Sequence, residues 1–172
     1  MRLRGEVYRA HHPRWAYLPA SGEGAALHGG RFNPRGVPAL YTSRRLETAW
    51  LEAQQGFPFK AQPMTVCAYA VDCRDVLDLT DEAERGRHGV TLAELPCPWE
   101  DMASRGLTPP SWTLAERLRG QGSAGIVVPS YAPGAGFLDV NAVFWRWSDA
   151  PPHQVRVVDD LGRLPRNDTS WR

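Results

Sequence analysis

Arg31 follows a glycine pair in the run Gly29-Gly30-Arg31-Phe32-Asn33. Two glycines let the backbone approach a ligand or a neighbouring strand closely, and the next residue presents its guanidinium directly after the turn. Arginine offers two donors in a fork that suits a diphosphate, and it stays charged near neutral pH. Arg31 therefore reads as an anion clamp and not as a proton shuttle; standing alone it would equally suit a surface ion pair. Tyr41 ends a strand, and Glu52 borders the helix that follows. Singly, a strand tyrosine packs and a helix-border glutamate is solvated. Ser130 closes another strand ahead of the glycine-bearing loop Tyr131-Ala132-Pro133-Gly134-Ala135-Gly136 and Asn141, where a lone serine means turn chemistry.

The elements that must carry these groups are legible from patterning. Residues 5–9 predict a short strand. From 11 to 38 the chain is rich in Gly, Pro and Arg without periodicity, yet Tyr17, Leu18, Leu27 and Phe32 make it too apolar for a plain linker. Residues 39–42 predict a strand, with Ser43 as N-cap of a helix from 44 to about 55. Leu46, Ala49, Trp50 and Ala53 form its expected buried stripe, leaving Glu47 and Glu52 on opposite borders. Further strands are expected at 64–71, 76–79, 125–129, 142–147 and 155–158. The polar stretch 81–88 suits one or two helical turns, 95–110 covers an edge of the fold, and Ser111 caps a helix over 112–119 ended by Gly120 and Gly122. Residues 162–172 are polar and expected to fray. Strands with two embedded helices indicate an α+β fold.

The composition removes several function classes. With 172 residues, 42% hydrophobic and 23% charged, the chain suits one domain. Its 20 basic and 19 acidic residues leave a net charge of +1, and a single lysine, Lys60, stands among the basic ones. Lys60 lies in Phe-Lys-Ala-Gln-Pro, without the glycine frame of a P-loop, which argues against phosphate-loop and Schiff-base lysine chemistry. The basic surplus of a nucleic-acid binder is missing. Cys67, Cys73 and Cys97 are odd in number and form no C-x-x-C pair, so they read as free thiols of a reducing compartment. The five histidines show no ligand spacing beyond the adjacent His11 and His12, so no metal is expected. No run approaches a membrane span, and polar residues follow Met1 to Gly5 where a signal peptide needs an apolar core. A cytoplasmic protein is expected. Trp145 and Trp147 alternate with Phe144 and Arg146, which suits core on one face, although an exposed tryptophan there could seat a partner.

Taken in order, the strand, Gly-Gly-Arg, Tyr-Thr-Ser, the helix with Glu and the strand with Pro-Ser resemble the RES domain, a family named for its Arg, Glu and Ser. That family is the toxin half of a bacterial toxin–antitoxin pair whose antitoxin is an Xre-type helix-turn-helix protein. The resemblance is carried by Val7-Tyr8-Arg9, Ser21-Gly22-Glu23-Gly24-Ala25, Gly29 to Asn33, Pro38-Ala39-Leu40-Tyr41-Thr42-Ser43 with Glu52, Gly125 to Ser130, and Asn141 with Phe144. These stretches run from residue 7 to about 147 in matching order.

The resemblance implies an α+β fold similar to ADP-ribosyltransferases, with mostly antiparallel central sheets, a few short helices and a long irregular N-terminal region. It implies one RES domain over 1–172, with a core from about 5 to 160. NAD⁺ is then the substrate, bound in a cleft and cleaved between nicotinamide and ribose, with no prosthetic group. The family's Arg falls on Arg31, its Glu on Glu52 and its Ser on Ser130, and Tyr41 matches the aromatic position of the cleft. Cleaving the N-glycosidic bond makes an oxocarbenium-like transition state, which a carboxylate at Glu52 stabilises. Arg31 would hold the diphosphate or a ribose edge, Tyr41 would stack on nicotinamide, and Ser130 with Asn141 would bond the ligand's polar groups. Arg9 is a further candidate for anion binding. Glu47 shares the helix of Glu52 but not the matched position. The expected partner is an Xre-type antitoxin covering the cleft, and the acceptor of ADP-ribose is water, phosphate or a protein, such as an enzyme of nucleotide biosynthesis. The competing reading is a catalytically inert module that only docks the Xre-type protein.

Overall fold

Every strand expected from patterning is found in one seven-stranded sheet of the computed structural model, which describes residues 1–54 and 62–172. The strands are β1 (Leu3–His11), β2 (Leu40–Ser43), β3 (Thr65–Cys73), β4 (Val76–Asp78), β5 (Gly125–Pro129), β6 (Val140–Phe144) and β7 (His153–Val157). Their spatial order is β4-β5-β6-β2-β1-β3-β7, and every pair is antiparallel except β4 with β5. β1 outruns its expected length because it pairs with β3 from Leu3 opposite Cys73 to His11 opposite Thr65. β6 stops at Phe144, short of the expected 147, because the Trp145 and Arg146 amides both turn to the carbonyl of Ala124.

Alternation along the strands sends side chains to two cores. Leu40, Val127, Ala142 and Phe144 join Leu3, Val7, Tyr69 and Val155 on one face. On the other, Ile126, Val128, Val143 and Trp145 pack with Phe32, Leu79, Leu95, Leu114 and Leu118. Tyr41 and Ser43 share this second face, since they alternate with Leu40 and Thr42. Register then lines up a row across four strands: Tyr8 is opposite Ser43, Ser43 opposite Asn141, and Asn141 opposite Val128.

Among the described residues, five α-helices decorate the sheet: α1 (Glu23–His28), α2 (Leu46–Ala53), α3 (Glu82–Arg87), α4 (Trp99–Ser104) and α5 (Pro110–Gly120). α5 buries Ser111, Leu114, Ala115 and Leu118, the i, i+3, i+4, i+7 face of a packed helix. Ser111 lies inside its first turn and not at the cap, because Pro110 already sets the helical φ one residue earlier. α3 falls on the expected polar stretch, with the Asp81 carboxylate accepting from the Ala83 and Glu84 amides as N-cap. α1, α4 and a 3-10 turn at Pro13–Trp15 lie in segments that pattern alone leaves irregular, and none of the three contains a fully buried residue.

α2 corrects two expectations. Ser43 does not cap it: the serine stays in β2, and its hydroxyl donates to Asn141 Oδ1 at 2.7 Å. Its inner face is also rotated. Thr48 and Ala49 are buried, while Leu46 and Trp50 stand 50% and 36% exposed. The rotation follows from Asp139, which accepts from Thr48 Oγ1 at 2.5 Å, lies 3.8 Å from Arg45 and accepts from the Gly136 amide at 2.7 Å. The expected end of this helix at Gln55, and Lys60, lie outside the described residues.

Trp145 packs in the second core and Trp147 against the first, so they do not form core on one face as their alternation suggests, because β6 ends at Phe144 before either; each indole N–H bonds a backbone carbonyl, which makes both core struts rather than an exposed seat for a partner. Where fraying is expected at the C-terminus, Leu164 packs on the first core and the Trp171 ring meets His12 edge-on at 5.3 Å. No described helix is long and apolar enough to cross a membrane.

The Thr48 hydroxyl, with the Gly136 amide, holds the Asp139 carboxyl below its ordinary range. A depressed carboxylate stabilises the fold above its unfolded pKa of about 4 and loses that contribution as pH falls through its lower folded value. Urea unfolding of Asp139→Asn should show a loss of about 1–3 kcal/mol at pH 7. The gap to wild type should close as the pH drops below about 4.

Candidate functional site

The four-strand row floors a cleft of about 400 Å³, lined among others by Tyr8, Arg31, Tyr41, Ser43, Glu52 and Asn141. α2 and the Gly30–Asn33 turn form its sides. Among the described residues, no cluster of three His, Cys, Asp or Glu side chains could hold a metal ion.

Glu52 marks one pole. Its Oε1 accepts a hydrogen bond from Ser130 Oγ at 2.6 Å and another from Asn141 Nδ2. The Asn141 amide has a defined sense, because its Oδ1 accepts from Ser43 and so leaves the N–H₂ for Glu52. Ser130 is likewise oriented: its Oγ accepts from the Ala132 amide at 3.2 Å and gives its proton to the carboxylate. Three residues read separately from the sequence thus meet at one oxygen. Glu47, on the exposed side of the same helix, lies 3.6 Å from Arg45 instead.

Arg31 marks the other pole. Its Nη1 donates to the Cys97 carbonyl at 2.6 Å, and its guanidinium lies 5.0 Å from the centre of the Tyr131 ring. Among the described residues no carboxylate forms an ion pair with it, so the surface-pair reading does not apply. The turn that presents it is wired at nearly every polar group. The Trp112 indole donates to the Gly30 carbonyl at 2.7 Å, and the Trp145 indole to the Phe32 carbonyl at 2.9 Å. The Gly30 amide bonds the Asn33 carbonyl, while the buried Asn33 side-chain amide donates to the carbonyls of Ala25, Val37 and Pro34.

Tyr41 stands between the poles. Its hydroxyl accepts from the Phe32 amide at 2.9 Å and donates to Asn33 Oδ1 at 2.7 Å. Burial pushes the phenol well above its ordinary range; the Phe32 amide and Arg31 pull it down, and Glu52 adds to the rise. The proton therefore stays on Tyr41 near neutrality, and the hydroxyl serves the Arg31 turn while the ring lines the cleft. Arg9 borders the cleft as well, but its Nη1 donates to the carbonyls of Pro19 and Ser21 and ties down that loop.

Sequence reasoning missed Asn33, Trp112 and Trp145 as supports of the turn, and Trp99 and Tyr131 as cleft walls. A signal existed for the first three. A buried indole or amide seeks a partner, and Asn33 sits in the glycine run itself.

The sequence profile of the RES domain matches residues 6–167 of this chain. Among solved structures, the chain is similar to one from the MbcT–MbcA toxin–antitoxin complex of M. tuberculosis. The TM-score is 0.63 at 20% identity, covering 92% of this chain and 84% of that one. At that identity the likeness is one of fold. No curated protein matches the sequence.

Gly30 should tolerate no side chain. A Cβ there would stand 2.5 Å from the Tyr41 hydroxyl and 2.7 Å from Asn33 Oδ1, two atoms already bonded to each other. Gly30→Ala should lower stability by about 1–3 kcal/mol in urea unfolding. Tyr41→Phe removes the partner of the Phe32 amide, so that amide should exchange its hydrogen faster, with a stability loss of about 1–3 kcal/mol.

Proposed function

This chain belongs to the RES domain family, and from that premise we propose that it cleaves the nicotinamide–ribose bond of NAD⁺ as the toxin of a toxin–antitoxin pair. One observation supports this above the others: a carboxylate oriented by two donors and a guanidinium without a carboxylate partner among the described residues share one cleft, with an aromatic ring between them.

In the proposed reaction the bond between ribose C1′ and the nicotinamide nitrogen breaks, and its electron pair leaves with nicotinamide, which becomes neutral. Positive charge then develops on the ribose. Glu52 stabilises it, because an anion already held in place acts on charge at the moment it forms. Ser130 and Asn141 act through Glu52 as positioning residues, holding Oε1 so that the carboxylate need not reorganise. Arg31 binds the diphosphate, Tyr41 offers its ring to nicotinamide, and Arg9 adds positive charge at the wall. The C1′ cation is captured by water, by phosphate or by a nucleophile on an acceptor protein, each giving up a proton where it has one to lose.

An Xre-type helix-turn-helix antitoxin is the proposed partner, seated over the cleft and blocking NAD⁺ entry. Because NAD⁺ is the substrate, action in the cytoplasm follows.

Incubating the purified chain with labelled NAD⁺, with and without phosphate and with cell lysate, separates the three acceptors by product. Loss of NAD⁺ is expected in at least one arm, and no loss in any arm would sink the proposal. Glu52→Ala should slow the loss by on the order of 10² to 10³. The same substitution should relieve growth inhibition when the chain is expressed without its antitoxin. An inert docking module would leave growth unchanged by it.

A further inference from the structure

The cleft has a direction. Its negative pole, Glu52, suits the end of the dinucleotide that becomes positive, and Arg31 suits the diphosphate, so the adenosine half must lie beyond Arg31, away from Glu52. Among the described residues, five aromatic side chains line the cleft: Tyr8, Phe32, Tyr41, Trp99 and Tyr131. Phe32 is buried in the second core. Tyr8 lies in the row with Ser43 and Asn141, Tyr41 stands between the poles, and Tyr131 follows Ser130 and is already faced by the Arg31 guanidinium.

Trp99 differs from these. The Cys97 carbonyl accepts both from Arg31 Nη1 at 2.6 Å and from the Trp99 backbone amide at 2.7 Å, so α4 begins one shared oxygen away from the anion clamp. Its ring meets Trp112 at 6.5 Å between centres, tilted by 40°, and so is not covered by a stacked neighbour there. The indoles of Trp112 and Trp145 bond backbone carbonyls as struts, whereas that of Trp99 has no protein hydrogen-bond partner among the described residues. It is half-buried and lines the cleft. A partly exposed aromatic face beside a cationic fork is a stacking platform for a base joined to a phosphate.

We propose that Trp99 is the platform on which the adenine ring of the bound dinucleotide stacks, with the diphosphate on Arg31 and the nicotinamide riboside at Glu52. This inference rests on the NAD⁺ reading of the same cleft. It makes Trp99 a specificity residue: it selects a dinucleotide carrying a purine over a bare diphosphate.

Calorimetric titration of the full chain with ADP and with pyrophosphate tests it without any chemistry. Wild type should bind ADP more tightly than pyrophosphate. Trp99→Ala should reduce that preference by about tenfold or more, and Trp99→Phe should keep most of it. Nuclear Overhauser contacts between ADP and wild type, which need no variant, should link the adenine protons to the Trp99 indole. An unchanged preference in Trp99→Ala, equal weakening of both ligands, no preference in wild type, or adenine contacts to Tyr8 or Tyr41 instead would each overturn the inference. The two readings fail separately. Adenine on Trp99 without release of nicotinamide from NAD⁺ counts against the enzymatic proposal alone, and nicotinamide release with an ADP preference indifferent to Trp99 counts against this inference alone.

Discussion

The meeting of Glu52 with Ser130 and Asn141 is the constraint from which the rest of the site follows. The partners lie 78 and 89 residues from Glu52 in sequence, so the contact exists only if α2, the end of β5 and the start of β6 are all placed together. Each placement has its own cause. Register sets Ser43 opposite Asn141, and the bond between them points the Asn141 amide at the carboxylate. Asp139, two residues before Asn141, draws Thr48 inward and rotates α2 so that Glu52 faces the sheet. That rotation leaves Leu46 and Trp50 exposed, which a helix positioned by apolar burial alone would not do. Polar bonds between a helix and a strand end have here overruled the hydrophobic stripe.

The Arg31 pole is built on the same principle by different means. An arginine on a free turn would lose much of its binding energy to ordering itself. Here the two carbonyls flanking Arg31 accept from indoles, the next amide donates to Tyr41, and the guanidinium itself rests on the Cys97 carbonyl. Gly30 is required because the Tyr41 hydroxyl and Asn33 occupy the space a side chain would need. Both poles are thus held by bonds within the protein itself, which is the preorganisation that the proposed stabilisation of a transition state would use.

Sheet and site differ in how far the sequence reveals them. Strands such as 64–71 and 125–129 are legible because apolar, β-branched runs have few alternatives. The helix of Glu52 is legible as a helix but not in its rotation, since the deciding group, Asp139, lies 91 residues from Thr48. Ser43 and Ser111 look like caps because serine caps helices locally; tertiary partners claim the first hydroxyl, and Pro110 starts the second helix early. α1 and α4 have no apolar stripe to read because neither buries a residue fully. The candidate site residues Arg31, Tyr41, Glu52, Ser130 and Asn141 come from family order, and the structure brings Glu52, Ser130 and Asn141 into contact. What it adds is the division of labour: the Ser130 and Asn141 groups meet Glu52, and the Tyr41 hydroxyl meets the Arg31 turn.

If Ser130 acts through Glu52, their contributions to NAD⁺ cleavage cannot be independent. The most direct test is a double-mutant cycle on the rate of nicotinamide release at saturating NAD⁺, using Ser130→Ala, Glu52→Ala and the pair. Ser130→Ala should slow wild type by roughly tenfold or more, as expected for loss of a hydrogen bond to a charged group, and should have no further effect once Glu52 is gone. Equal slowing in both backgrounds, or no nicotinamide release from wild type, would contradict this reading.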